Sequence, residues 1–274
     1  MAETAAVGKS VRQKDGRPRV TGQALYYADF AFKDMLYARI LRSPHPAARI
    51  TSLDASEARA LPGVRLVMTH ENYPGIFRPA LHYVGDLAAA VIADTEEIAE
   101  EALELIRVTY EKKPFVLDLK EAIEPGAPQA FEGEDNCHDW EFHAFLSDRD
   151  PETRLFKTKT PSEYNGFGDI EKGLAEAEVV VEQKGFRYAF CKSPAMEPRG
   201  CTAYFDGVKL RMYTHSQGLH DEKYCLAQAL GIGSDMVNLI SPFTGSSFGG
   251  KNADPRNPNM PSHYLTIACM ATLA

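Results

Sequence analysis

A chain of 274 residues is long enough for one large domain or two ordinary ones, each with its own core. Its 44% hydrophobic and 25% charged residues are the composition of a soluble globular protein, and a net charge of −8 without a basic cluster argues against nucleic-acid binding, which needs a cationic footprint. The longest apolar runs, such as Leu87–Ala93, are too short to span a bilayer. The N-terminus shows no basic segment followed by an apolar core, so a cytoplasmic location is expected and no membrane association. The five cysteines (Cys137, Cys191, Cys201, Cys225, Cys269) form no CxxC pair, so neither a zinc site nor an iron–sulfur cluster is expected, and reduced, largely buried thiols are.

Residues 1–18 read as a polar, extended lead-in. From there to residue 125 the elements are short and mixed. Leu36–Ser43 alternates as a strand should. The stretch "TSLDASEARALPGVRLVMT" predicts a short helix capped by Asp54 or Ser56, stopped at Pro62-Gly63 and followed by a strand. A turn at Gly85-Asp86 leads into a buried strand, "LAAAVIA". The clearest helix follows: Asp94 or Thr95 caps it, acids fill its first turn, and Ile98, Ala102, Leu105 and Ile106 form its apolar stripe before the strand "LIRVTYE".

Residues 126–165, with their prolines, acids and lack of periodicity, read as a connecting arm. His138 and His143 lie five apart, which misses the four-residue spacing of a helical metal pair, so solvated or packing histidines are expected. The second unit, 166–274, opens on a short helix capped by Asp169, and "EVVVEQKGFRYAF" then alternates as a long strand. Asp206-Gly207 predicts a two-residue hairpin turn, "HDEKYCLAQALG" a helix stopped at Gly231, and "MVNLISPF" a strand.

That last strand runs into "FTGSSFGGKN", where Gly245, Gly250 and Lys251 have the spacing of a phosphate-binding P-loop. A P-loop needs a helix starting at its Lys and a Ser or Thr after it. Asn252 stands in the hydroxyl position, and Pro255, Pro258 and Pro261 oppose an immediate helix, so nucleotide hydrolysis is not expected. What remains is a turn whose Gly245, Gly249 and Gly250 permit close approach of main-chain amides to a bulky anionic ligand.

In order along the chain, "RVTGQALYYADF", "LYARILRSPHPAARI", "ALPGV", "YVGDLAAAVIADTEEIAEEALELIRVTYE", "GDIEKGLAEAEVVVE", "MEPRGC", "THSQG" and "GSSFGGK" resemble the conserved blocks of the molybdopterin-binding large subunit of the xanthine dehydrogenase/aldehyde oxidase family. The resemblance implies an α+β protein: an α/β hammerhead domain over 19–125, then the N-terminal part of a mixed α/β molybdenum-cofactor-binding domain over 166–274. It implies that Gln217 hydrogen-bonds an oxo ligand of molybdenum, and that Phe248 and Gly249 line the metal site with their amides facing the cofactor. Gly218, Gly245, Ser246 and Ser247 complete the implied cofactor-binding set. On this resemblance Gln217 and Phe248 would lie beside the metal without ligating it. Ser246 and Ser247 stand where glycine is commoner. Asn252, facing substrate, replaces the Glu of xanthine-oxidising members, which points to an aldehyde, another N-heterocycle or a thioester-linked aromatic acid.

The resemblance further implies a molybdenum–molybdopterin cofactor, with or without an appended nucleotide, and oxidation of substrate with water as oxygen source. Electrons would leave through iron–sulfur and FAD partner subunits. Family members continue for several hundred residues beyond Ala274, and the general-base glutamate and most pterin contacts belong to that C-terminal half. No catalytic base is assigned here; Glu197 of "MEPRGC" falls in a structural block of the family. The expectation is therefore half of a split subunit or a fragment, inactive alone, and the alternative is a non-catalytic assembly or docking module of such a complex.

Overall fold

The computed structural model of the chain describes residues 7–134, 136, 169–189, 194–251 and 272. The first unit is organised around β5 (Leu87–Ala93), every residue of which is buried. It pairs antiparallel with β1 (Tyr37–Arg42) on one side and β3 (Val64–Met68) on the other. A second sheet places β2 (Ala48–Asp54) between β4 (Ala80–Leu81) and β6 (Arg107–Lys112). Run-on hydrophobicity in "LAAAVIA" has a simple cause: the strand is covered on both faces. Ala89, Val91 and Ala93 meet Ala99 and Ala102 of α3 (Glu96–Glu104), whereas Ala88 joins Ile50 and Leu81 of the second sheet. The small alanines let the helix lie close to the strand.

The helix signals resolve to single residues. Thr95 caps α3, its hydroxyl accepting the Ile98 amide at 3.3 Å. Asp94 instead forms a bidentate pair with Arg65, at 2.7 and 2.9 Å. The Asp54 carboxylate accepts the Ser56 amide at the start of α2 (Ser56–Ala60). Gly63 follows that helix at φ +91°, where a side chain would be strained, and a Cβ there would lie 2.7 Å from Ile98 Cδ1 and have to push the end of that side chain aside. Two short helices arise where periodicity is too brief to show. The lead-in is helical at α1 (Gly16–Val20), where Asp15 and Arg19 pair one turn apart at 2.9 Å. The stretch after β6 contains α4 (Leu119–Ala122), capped by Asp118. Of the connecting arm, Phe131 stacks on His82 at 4.4 Å; His138 and His143 lie outside the described residues.

The second unit begins with α5 (Ile170–Glu176), capped by Asp169 as expected. Its sheet has the order β7-β8-β9: β7 (Cys201–Phe205) is antiparallel to β8 (Leu210–Thr214), and β9 (Val237–Ile240) is parallel to β8. The parallel pair is joined across α6 (Leu219–Leu230), whose Leu226 and Ala227 pack on Leu210, Met212 and Val237. Gly231 ends α6 in the left-handed region, φ +65°, as its place after the helix predicts. The hairpin forms, but its tip spans 206–209 rather than two residues. The Asp206 amide donates to the Lys209 carbonyl at 3.1 Å, and the Asp206 carboxylate adds to this main-chain closure by accepting the Val208 and Lys209 amides. Cys201, half-buried, and Cys225, buried, are thiols rather than halves of a disulfide.

One expectation is corrected. The long strand predicted for "EVVVEQKGFRYAF" is not paired: residues 178–189 belong to no strand among the described residues, and Val179, Val181, Phe186 and Tyr188 are exposed. Alternation shows only that a segment suits a strand; a ladder also needs a partner, and β7, β8 and β9 pair with one another.

Segment 19–32, contiguous in sequence with the first unit, lies against the second. Phe30 stacks on Tyr213 at 3.9 Å, Phe32 meets Tyr204, and Tyr26 and Arg19 both reach Phe243.

Candidate cofactor-binding site

Because β8 and β9 are parallel neighbours, both leave the sheet at the same edge, the position where ligands bind in sheets of this kind. The chain after β8 carries Thr214, His215, Ser216, Gln217 and Gly218; the chain after β9 carries the loop 241–251. They meet directly, for the Gln217 amide donates to the Lys251 carbonyl at 2.9 Å. Gly218 sits at the mouth of α6, its amide donating to the Ser216 hydroxyl.

The loop has an unusual backbone. Ser246 (φ +61°), Phe248 (φ +48°) and Gly249 (φ +80°) are all left-handed. For the two non-glycine residues this costs on the order of 1 kcal/mol or more each, and such strain gathers where a main chain is shaped for a ligand. Gly250 donates to the Ser247 carbonyl at 2.8 Å, closing the turn. The Ser246 hydroxyl donates to the Gly245 carbonyl and accepts the Met196 amide, which ties down a hydroxyl that stands in place of a glycine.

A third segment, 196–200, forms the floor. Glu197 Oε2 accepts both the Gly245 amide, at 2.7 Å, and the Lys251 ammonium, at 2.8 Å. Both partners of the ion pair are buried, with side chains 8% and 1% exposed. Glu197 Oε1 is buried without a hydrogen-bond partner among the described residues. Gly245 packs so closely on this carboxylate that an added Cβ would lie 2.6 Å from Glu197 Cβ. Beside it His215 is fully buried, and its Nε2 accepts the Gly200 amide at 3.1 Å, so the ring is neutral with its proton on Nδ1. Burial and then the nearby Lys251 charge depress its pKa to about 4, against a smaller opposing effect of Glu197. The ring of Tyr27 stands edge-on to His215 at 5.4 Å and against Gly200, where a Cβ would come within 2.5 Å of it. Burial, then Glu197, raises the Tyr27 phenol pKa.

The site is thus layered. Gln217, Phe248 (71% exposed) and Gly249 are on the open side, with Lys251, Glu197 and His215 beneath. The layering disposes of the P-loop pattern, because Lys251 is turned inward onto Glu197 rather than outward to a phosphate. Of the implied site residues, Gln217, Gly218 and Gly245–Gly249 are brought to one edge of the sheet, and Asn252 lies outside the described residues. Sequence reasoning weighed Glu197 only as a base and did not single out His215, Tyr27 or Gly200. Their one signal was membership of the ordered blocks: Tyr27 in "RVTGQALYYADF", Gly200 in "MEPRGC" and His215 in "THSQG".

Residues 21–114 match the aldehyde oxidase and xanthine dehydrogenase a/b hammerhead domain, and residues 152–270 the molybdopterin cofactor-binding domain. The chain is 32% identical over 279 aligned positions to the probable hypoxanthine oxidase of Escherichia coli (strain K12), covering 89% of this chain and 29% of that protein. It is 29% identical over 259 residues to the nicotinate dehydrogenase large molybdopterin subunit of Eubacterium barkeri, covering 89% and 55%. Among solved structures, quinoline 2-oxidoreductase from Pseudomonas putida 86 superposes with a TM-score of 0.73 at 25% identity, over 97% of this chain and 33% of that one. The chain therefore spans between about a third and about half of these relatives. A hammerhead domain followed by a molybdopterin cofactor-binding domain defines a molybdopterin-binding subunit. The chain belongs to the xanthine dehydrogenase/aldehyde oxidase family and corresponds to the N-terminal part of its molybdopterin-binding large subunit.

Proposed function

We propose that this chain forms one wall of the molybdenum cofactor site in a molybdenum hydroxylase or dehydrogenase. The observation that carries the reading is the layered edge itself: an exposed amide (Gln217), an exposed aromatic (Phe248) and left-handed main chain, seated on a buried ion pair. The residues fit the group. A neutral carboxamide donates to an oxo ligand without adding charge, and left-handed turns are the ingredient of main-chain concavities that accept anionic sulfur or phosphate. Gly218 and Gly245–Ser247 shape the rim.

When bound, the molybdenum–pterin group, with or without a nucleotide, supplies two-electron redox chemistry with water as the oxygen source. This chain's residues bind and orient it: Gln217 fixes one face, and Phe248 shields the site from water. Asn252, in place of a carboxylate, favours an aldehyde, another N-heterocycle or a related aromatic substrate over xanthine. The general base and remaining pterin contacts come from the part of the subunit that lies outside the matched region of the relatives. Electrons pass to iron–sulfur and FAD partner subunits.

The test is to purify the subunit with its native partners, measure molybdenum and pterin per chain, and assay dye-coupled oxidation of aldehydes and N-heterocycles. Near-stoichiometric molybdenum is expected. Gln217→Ala should keep the cofactor and slow turnover by about 10²-fold, the usual cost of one positioned donor. A native complex without molybdenum would leave the chain as an assembly module and overturn the reading.

A further inference from the structure

Three buried or partly buried groups meet under the loop, and one of them touches both of its ends. Gly245 opens the loop and Lys251 closes it; the same atom, Glu197 Oε2, receives the amide of the first and the ammonium of the second. The main chain repeats the connection, since the Glu197 amide donates to the Gly245 carbonyl at 3.2 Å. The Lys251 carbonyl is in turn held by the Gln217 amide, so the clamp also sets the spacing between the loop and the neighbouring strand end.

We infer that Glu197 is the positioning residue of the cofactor loop: its carboxylate draws the two ends together and so holds Ser246 and Phe248 in their left-handed conformations. The inference rests on the proposed cofactor reading for its consequence, though not for its geometry. Strain supplies the reason. A loop with two non-glycine residues in the left-handed region relaxes unless its surroundings over-determine it. Apart from Glu197, the loop interior is tied by the Met196 amide to the Ser246 hydroxyl, by the Ser246 hydroxyl to the Gly245 carbonyl and by the Gly250 amide to the Ser247 carbonyl, none of which joins Gly245 to Lys251. The constraint between the ends comes from Glu197, and charge-assisted bonds in a buried setting are the stronger kind. Proximity agrees, because Gly245 is pressed against Glu197 so tightly that only glycine fits. The orientation of Lys251 follows as well: an ammonium 1% exposed needs an anion beside it, and Glu197 provides that charge.

A purely structural ion pair and a positioning clamp respond differently when both charges are removed. Replacing a buried pair by neutral groups often restores stability, but it cannot restore a tie between the loop ends. The experiment compares Glu197→Gln with the double variant Glu197→Gln/Lys251→Met in the assembled subunit. Three quantities are read: thermal midpoint, hydrogen exchange of the 243–251 peptide in cofactor-free protein, and molybdenum per chain. Glu197→Gln, which strands the Lys251 charge, should lower the midpoint and speed loop exchange about tenfold or more, with the β7–β8 peptides unchanged. The double variant should regain the midpoint yet keep the fast loop exchange and a several-fold deficit in molybdenum. Wild-type loop exchange in either variant, or recovery of exchange and molybdenum together with the midpoint, overturns the inference. If the wild-type subunit holds no molybdenum, the cofactor reading fails while the exchange data still decide the clamp.

Discussion

His215 shows how a buried residue can support the loop region from beneath. Its Nε2 accepts the Gly200 amide, so the folded chain needs the neutral ring, whose pKa is depressed to about 4. Unfolded, the same histidine titrates at an ordinary value near 6.5. Below that value the unfolded state binds more protons than the native one. The contribution of His215 is therefore complete above pH ~6.5, declines as pH falls towards 4, and is exhausted below it. Integrated over that window it is worth up to about 3 kcal/mol. Urea unfolding between pH 7.5 and 4 should show this slope, and His215→Gln, which cannot titrate, should flatten it while lowering stability at pH 7. A slope unchanged in the variant would assign the pH dependence to carboxylates. At this scale the motifs named Gln217 and Phe248, and the fold brings both to one edge of the sheet. Sequence reasoning set Glu197 aside as a base and could not show its pairing with both loop ends, which is a fact of tertiary distance: 48 and 54 residues separate the partners.

Among elements, legibility followed the range of the physics. Caps, stops and buried runs are local, and α3, α6, β5 and β9 stand where local rules put them. The ambiguity left at the start of α3 was between two neighbours with equally good capping chemistry. The structure separates them, because Arg65 engages Asp94 and frees Thr95 to accept the Ile98 amide. Thr95→Ala should then cost about 1 kcal/mol of stability, the typical value of a lost N-cap. Asp94→Ala loses a partly exposed ion pair and should cost less. Equal losses in denaturant titrations of the two variants would mean that the cap is shared. The helices α1 and α4 escaped notice for a related reason: at five and four residues each is little more than one helical turn, too short for a hydrophobic pattern to repeat. The P-loop spacing failed in the opposite direction. Spacing fixes which residues are near in sequence, but not whether the Lys faces ligand or core, and the buried carboxylate of Glu197 decided that.

For the molecule as a whole, the first unit closes its core and the second leaves one apolar segment uncovered. Segment 19–32 shields much of one region of the second unit, stacking Phe30 on Tyr213 and inserting Tyr27 beside His215 and Gly200. Nothing among the described residues does the same for 178–189. Val179, Val180 and Val181 are exposed in succession, followed by Phe186 and Tyr188, in an extended stretch with no ladder partner among the described residues. Extended main chain with β-branched side chains is a template for pairing with another strand. The interleaved charges temper this, since Glu182 pairs with Lys184 and Arg187 with Asp118. Charges on such a segment slow sheet addition without abolishing it. The 274-residue chain on its own should therefore self-associate in a concentration-dependent way. A Val181→Lys/Tyr188→Lys variant should shift sedimentation and light scattering towards the monomer. Both side chains are exposed, 84% and 90%, so the unfolding free energy should move by no more than about 0.5 kcal/mol. If the variant associates as strongly as the parent, the contact lies elsewhere. If it loses stability along with association, the segment is already paired in solution and its exposure is not the state the chain adopts.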